Sequence, residues 1–110
     1  YKRLPVIFPE EPPSLLHGDL WGGNYFFNTD GKAAIYDPAV YYGHREIELA
    51  FTHLFGGFSS GFYRAYEEVW PLESGFSSRK EIYNLYPLLV HTNLFGGHYG
   101  QQVKSIIRQF

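Results

Sequence analysis

Residues 15–43 read LLHGDLWGGNYFFNTDGKAAIYDPAVYYG. Two short apolar runs lie inside this stretch, Tyr25-Phe26-Phe27 and Ala33-Ala34-Ile35-Tyr36, separated by Asn28-Thr29-Asp30-Gly31. Asn and Asp favour turn geometry and Gly accepts a positive φ, so the pattern predicts a β-hairpin. Polar side chains stand at its outer ends, with Asp19 and Asn24 before the first strand and Asp37 closing the second. An antiparallel hairpin returns the chain to its start, which makes Asn24 and Asp37 neighbours. Asp19, five residues before Asn24, loops over the same place. Three oxygen-bearing side chains are therefore expected to converge at one end of a small sheet.

Such a convergence suits phosphoryl transfer. Asn and Asp oxygens are hard ligands matched to Mg²⁺, which keeps several waters and binds substrate phosphates as well. A further Asp beside the metal accepts the proton of an attacking hydroxyl. The kinase pattern H-R-D-L-x-x-x-N followed by D-F-G has this layout. Here it reads His17-Gly18-Asp19-Leu20-Trp21-Gly22-Gly23-Asn24, then Asp37-Pro38-Ala39. Gly18 in place of Arg, and Pro38-Ala39 in place of Phe-Gly, point away from protein kinases and toward small-molecule kinases of the same fold. His17 is read as a residue that orients the loop by hydrogen bonds, since Mg²⁺ prefers oxygen ligands. Trp21 either stacks on a sugar or plugs the core beneath the loop. Tyr41 and Tyr42 either line the substrate cleft or pack.

Upstream, residues 1–13 carry Pro5, Pro9, Pro12 and Pro13 and read as an extended lead-in. Downstream, residues 44–110 read as about four helices. The first runs from His44 to Phe55, with Ile47, Ala50, Phe51, Leu54 and Phe55 on one face and Gly56-Gly57 as its stop. Glu46 and His44, near its start, are candidate substrate contacts; the alternatives are dipole placement for Glu46 and a solvated face for both. Ser59-Ser60 cap a second helix, from Gly61 to Trp70, which Pro71 ends. Ser78-Arg79-Lys80-Glu81 reads as a capping box opening a third helix that reaches about Phe95 and is kinked at Pro87. A last amphipathic helix spans Tyr99 to Phe110. Leu-Phe-Gly-Gly occurs at 54–57 and again at 94–97, which two helices ending in Gly-Gly explain without a repeat architecture.

The 110 residues suffice for one small α+β domain, and 45% hydrophobic and 20% aromatic residues supply ample core. A net charge of −2 argues against nucleic acid as the main partner. No apolar run approaches the roughly 18–20 residues of a membrane span. The charged, Pro-broken N-terminus does not read as a signal peptide. The absence of Cys excludes disulfides and thiolate metal sites and agrees with a cytoplasmic setting. No His pair has zinc-site spacing.

The runs HGDLWGGN, YDPAVYYGHREIELA, FGGF, FYRAYEEVWPL and YNLYPLLVHTNLFGG together resemble the C-terminal part of the fructosamine kinase (ketosamine 3-kinase) family. That family belongs to the aminoglycoside-phosphotransferase-like branch of the protein kinase-like fold. The resemblance covers the chain from about Leu15 onward. DPAVYYGHRE and LFGGF carry more of it than HGDxxxxN, which marks only the wider superfamily. One departure is Gly22, where the common form has Ser. The resemblance implies a partial kinase-like C-terminal lobe: a lead-in at 1–13, a catalytic and metal-binding segment at 14–43 and a helical part at 44–110. It implies Asp19 as catalytic residue, Asn24 and Asp37 as Mg²⁺ ligands, ATP as co-substrate, and Glu48 as acceptor of the backbone N–H groups of the HGD loop. The acceptor it implies is the 3-hydroxyl of a ketosamine, on a small molecule or a glycated protein, whose phosphorylation reverses glycation. Aminoglycoside, choline or homoserine phosphorylation is the sibling alternative, and a non-catalytic, pseudokinase-like module the alternative of another class. No glycine-rich phosphate loop or Val-Ala-Ile-Lys-like strand occurs, and position 1 is not Met. The expectation is thus a fragment or processed chain that is inactive alone and self-associates through its exposed aromatic surface.

Overall fold

A computed structural model describes residues 3–110. The first two residues of the lead-in lie outside the described residues. The remainder of the lead-in is not wholly extended: Leu4–Ile7 forms one helical turn, α1, with Pro5 in the first turn, where its missing N–H costs nothing. Strand β1 follows at Ser14–Leu16. A 3-10 turn at Gly22–Asn24 leads into β2 (Tyr25–Phe27), and β3 (Ala33–Ile35) returns antiparallel to it, pairing Tyr25 with Ile35 and Phe27 with Ala33. The hairpin turn is as the sequence predicts. Asn28 Oδ1 accepts from the N–H groups of Asp30 and Lys32, and Gly31 sits at φ +74°.

A second two-stranded sheet was not foreseen. Strand β4 (Tyr41–Gly43) pairs antiparallel with β1, setting Leu16 opposite Tyr41. It draws the segment after Asp37 back against the residues before His17. Three-residue strands leave too short an alternation to read from sequence.

Five helices follow β4, where about four were expected. Helix α2 is Arg45–Phe55 and α3 is Ser60–Val69, the latter capped by Ser59 Oγ, which accepts the Phe62 N–H at 3.2 Å. The expected single third helix is instead two, α4 (Phe76–Tyr83) and α5 (Leu85–Phe95), joined at Asn84. The capping box is also corrected. The helix opens at Phe76 behind Gly75 at φ +87°, and Ser78 lies inside it. Pro87 falls in the first turn of α5, where a helix tolerates it, so the chain breaks before Pro87 rather than kinking at it. Helix α6 is His98–Gln109.

Helix α2 is the central element, with Leu49, Ala50 and Thr52 buried, packed against α4 and β1. A second cluster, Leu88, Val103 and Ile106 with Leu54, Leu85 and Tyr99 around it, joins α5 to α6. Among the described residues no helix is long and apolar enough to cross a membrane. Large apolar side chains remain exposed on the hairpin and on α5, including Phe27, Ile35, Tyr86 and Phe95.

Candidate active site

The loop between β1 and the 3-10 turn brings Asp19 and Asn24 together. Asn24 Nδ2 donates to the Asp19 carbonyl at 2.9 Å and to Asp19 Oδ2 at 3.1 Å. Asn24 is 5% exposed, and the Tyr36 N–H donates to its carbonyl at 3.1 Å, which fixes Asp37 one residue beyond the contact. Asp37 itself is the single non-glycine residue at positive φ (+53°) among the described residues, an uncommon conformation that turns the chain sharply before Pro38.

His17 holds the two halves of this site together. Its Nε2 lies 2.8 Å from the Tyr36 carbonyl, and its own carbonyl accepts the Ala39 N–H at 2.7 Å, so it brackets Asp37 and Pro38 from both sides. The Asp19 N–H donates to His17 Nδ1 at 3.3 Å. A carbonyl on one nitrogen and an N–H on the other require the tautomer protonated at Nε2. Glu48 grips the same loop from α2: Oε2 accepts the His17 N–H at 3.0 Å and Oε1 the Gly18 N–H at 2.8 Å.

Gly18 is at φ +84°, and a Cβ there would stand 1.9 Å from the Ala39 carbonyl oxygen. Its backbone must therefore touch the segment after Asp37, which leaves no space for the Arg of the protein-kinase pattern. Gly22 is different. A Cβ there would meet Gly57 Cα at 3.6 Å, ordinary contact, so the Ser of the common form would fit.

Trp21 is 43% exposed, with its ring packed against Gly23. With Asp19, Phe51, Phe55 and His91 it lines an open cleft of about 380 Å³. His91 is not among the residues that the sequence singles out. Its Nδ1 lies 2.8 Å from the Pro87 carbonyl and its ring sits among Phe55, Phe95 and Tyr99. The one sequence signal available was its place in YPLLVHTNLFGG.

The other candidates lie elsewhere. Tyr41 lines a separate apolar hollow with Gly18, Glu48, Phe51, Tyr83 and Tyr86; burial pushes its hydroxyl pKa up, and the Glu48 carboxylate and Tyr86 add to the shift. Tyr42 is exposed beside it on β4. His44 faces the lead-in, with Nδ1 3.5 Å from Glu11 Oε1 and its ring near Phe8. Glu46 is neither at the cleft nor on a solvated face. It is 0% exposed and takes a two-pronged ion pair from Arg79, Nε to Oε2 at 2.8 Å and Nη2 to Oε1 at 2.7 Å, plus the Tyr83 hydroxyl at 2.9 Å. Arg45 is buried too, donating to Glu11 Oε2 and to the carbonyls of Trp70 and Pro71 while lying 3.9 Å from the Trp70 ring centroid. The Gly-His-Arg-Glu run thus ties the lead-in, the end of α3 and α4 to the start of α2.

Among the described residues no three His, Cys, Asp or Glu side chains form a ready-made metal cage. The donor set nevertheless fits Mg²⁺, which takes one or two carboxylates and fills its remaining positions with water and phosphate oxygens. Asn24 spends its Nδ2 on Asp19, and its Oδ1 accepts no hydrogen bond from the described residues.

Comparison with known proteins gives one consistent answer. The family model described as fructosamine kinase matches residues 7–110. A probable ketoamine kinase of Lactiplantibacillus plantarum is 52% identical over 98 residues, 89% of this chain and 35% of its own length. The ketosamine-3-kinase of Mus musculus is 46% identical over 108 residues, 96% of this chain and 35% of its own length. A crystal structure from Thermobifida fusca, of a protein named as a fructosamine-3-kinase, superposes with a TM-score of 0.86 at 41% identity, covering 97% of this chain and 38% of that one. The chain spans about a third of the length of the curated relatives it matches.

Proposed function

Because this chain belongs to the fructosamine kinase family, we propose that it supplies the catalytic loop and metal-binding segment of an ATP-dependent ketosamine 3-kinase. The observation that carries the reading is the joining of Asp19 to Asn24, with Asp37 held one residue from the Asn24–Tyr36 bond by the His17 bracket. In this reading the chain is a portion of a protein kinase-like C-terminal lobe.

The substrate 3-hydroxyl attacks the γ-phosphorus of ATP, the bond from that phosphorus to the β,γ-bridging oxygen breaks, and ADP leaves. Asp19 accepts the hydroxyl proton. The Asn24 Nδ2 bond to Oδ2 holds that carboxylate in place, leaving Oδ1 for the substrate. Asn24 and Asp37 would hold Mg²⁺, which supplies charge neutralisation at the phosphates when bound. Trp21 offers a flat apolar face beside Asp19 for the sugar, and His91 a ring nitrogen for one of its hydroxyls. The products are ADP and a ketosamine 3-phosphate, an adduct prone to decompose, which is how the reaction serves deglycation in the cytoplasm.

Replacing Asp19 by Asn keeps the bond to Asn24 possible but removes the proton acceptor. In a full-length family protein carrying this sequence, Asp19→Asn lowers kcat by about 10²–10⁴-fold with little change in KM. Steady-state ADP release checks this. The 110-residue chain alone does not turn over, since it has no glycine-rich phosphate loop. It self-associates through exposed aromatics such as Phe27 and Phe95, and sedimentation velocity across a concentration series reads this as a rising mean mass.

A further inference from the structure

Helix α2 carries two carboxylates in its first turn that reach in different directions. Glu48 accepts the N–H groups of His17 and Gly18, while Glu46 is buried on Arg79 and Tyr83. Residues two apart on a helix lie on nearly opposite faces, so this turn is held from both sides. The Arg79 side is unusually complete. The guanidinium spends Nε and Nη2 on Glu46, Nη1 on the Ser74 carbonyl at 2.7 Å, and Nη2 again on the Glu73 carbonyl at 3.1 Å. Gly75 lies close beneath it, where a Cβ would stand 3.0 Å from Nη1. A fork this fully used has one low-energy placement, and a Lys ammonium cannot reproduce it.

We propose that Arg79 is a positioning residue for the Asp19 site: by fixing Glu46 it sets the first turn of α2, and so aims the Glu48 carboxylate that holds His17 and Gly18. His17 passes the constraint on to Asp37 through its contacts with Tyr36 and Ala39. The proposal rests on the kinase reading only for its catalytic consequence, because the link from Arg79 to the His17 and Gly18 amides is physical and can be read without turnover. A buried ion pair contributes little net stability relative to apolar packing, and fixing one arrangement is the use that this proposal gives to the Arg79–Glu46 pair.

Residue-resolved amide exchange on the 110-residue chain tests the link, using Arg79→Lys and the milder Tyr83→Phe, which leaves the ion pair intact and removes one of its supporting donors. Both variants are expected to accelerate exchange at His17 and Gly18 by roughly tenfold or more relative to Val103 and Ile106 in the α6 core. Equal acceleration everywhere, which mere loss of stability produces, overturns the proposal, and so does unchanged exchange at His17 and Gly18. Should Arg79→Lys not fold, Glu46→Gln, which keeps an acceptor for Arg79 but removes the charge that holds the fork, decides by the same two amides. In a full-length family protein the same variants are expected to lower kcat while the KM for the ketosamine stays within about twofold. If that protein does not phosphorylate ketosamines at all while the exchange coupling persists, the kinase reading fails and the positioning link stands.

Discussion

At the scale of single residues, Gly18 is the position where backbone conformation and space agree most strongly. A side chain there meets both a positive φ and the Ala39 carbonyl at 1.9 Å. Gly18→Ala is therefore expected to destabilise by at least about 2 kcal/mol, the sum of a left-handed penalty and an overpacked contact. Chemical denaturation reads this as a lower midpoint at unchanged slope. Gly22→Ser, by contrast, meets only ordinary contacts and is expected to be nearly neutral in the same measurement. His53 gives the pH prediction at this scale. Its ring stacks on Tyr63 with centroids 4.2 Å apart, and burial, with Lys80 nearby, pushes its pKa below the usual histidine value of 6.5. The unfolded chain then binds the proton more readily, so the contribution is complete above pH 6.5 and is lost as pH falls toward the depressed folded value. Melting temperatures taken downward from neutral pH are expected to fall less steeply in His53→Phe than in the parent.

At the scale of elements, the hairpin was legible because turn chemistry and strand composition agree over a short span. Helices α2, α3 and α6 were legible from their periodicity and stops. What escaped was decided by contacts distant in sequence. Strands β1 and β4 have no pattern of their own and pair because the loop between them folds back. Glu46 lies in the first turn of α2, as the dipole alternative has it, but its burial was not legible because its partner, Arg79, lies 33 residues away and the sequence assigned that Arg to a capping box. Sequence placed Asp19, Asn24 and Asp37 at one end of the hairpin through a simple geometric argument, yet gave no sign that His44 turns to the lead-in or that His91 joins the cleft. The α4–α5 break is the clearest element-scale test. Asn84 Nδ2 donates to the Ala50 carbonyl at 2.9 Å, while Oδ1 is buried with no hydrogen-bond partner among the described residues. Asn84→Ala loses one bond and removes one orphaned acceptor, so it is expected to cost only about 1 kcal/mol. Asn84→Asp loses the donor and buries an unpaired charge, so it is expected to cost about 3 kcal/mol. Urea unfolding of the two side by side checks the ranking.

At the scale of the whole molecule, α2 links everything the proposed chemistry needs. Its first turn reaches the catalytic loop through Glu48, α4 through Glu46 and the lead-in through Arg45, while its later turns carry Phe51 and Phe55 into the cleft beside Asp19. Gly43-His44-Arg45-Glu46 is a structural clasp at the start of this helix, and it adjoins the proposed site in HGDLWGGN. The proposed chemistry turns on Asp19 accepting a proton from a ketosamine hydroxyl during transfer from ATP. The direct measurement is ADP release by a full-length family protein carrying this sequence, with Mg-ATP and a small fructosamine or ribulosamine, beside its Asp19→Asn variant. Turnover is expected in the parent and is lost in the variant, which still binds nucleotide. A folded, nucleotide-binding protein with no ketosamine-dependent ADP release, or an Asp19→Asn variant as active as the parent, would contradict it.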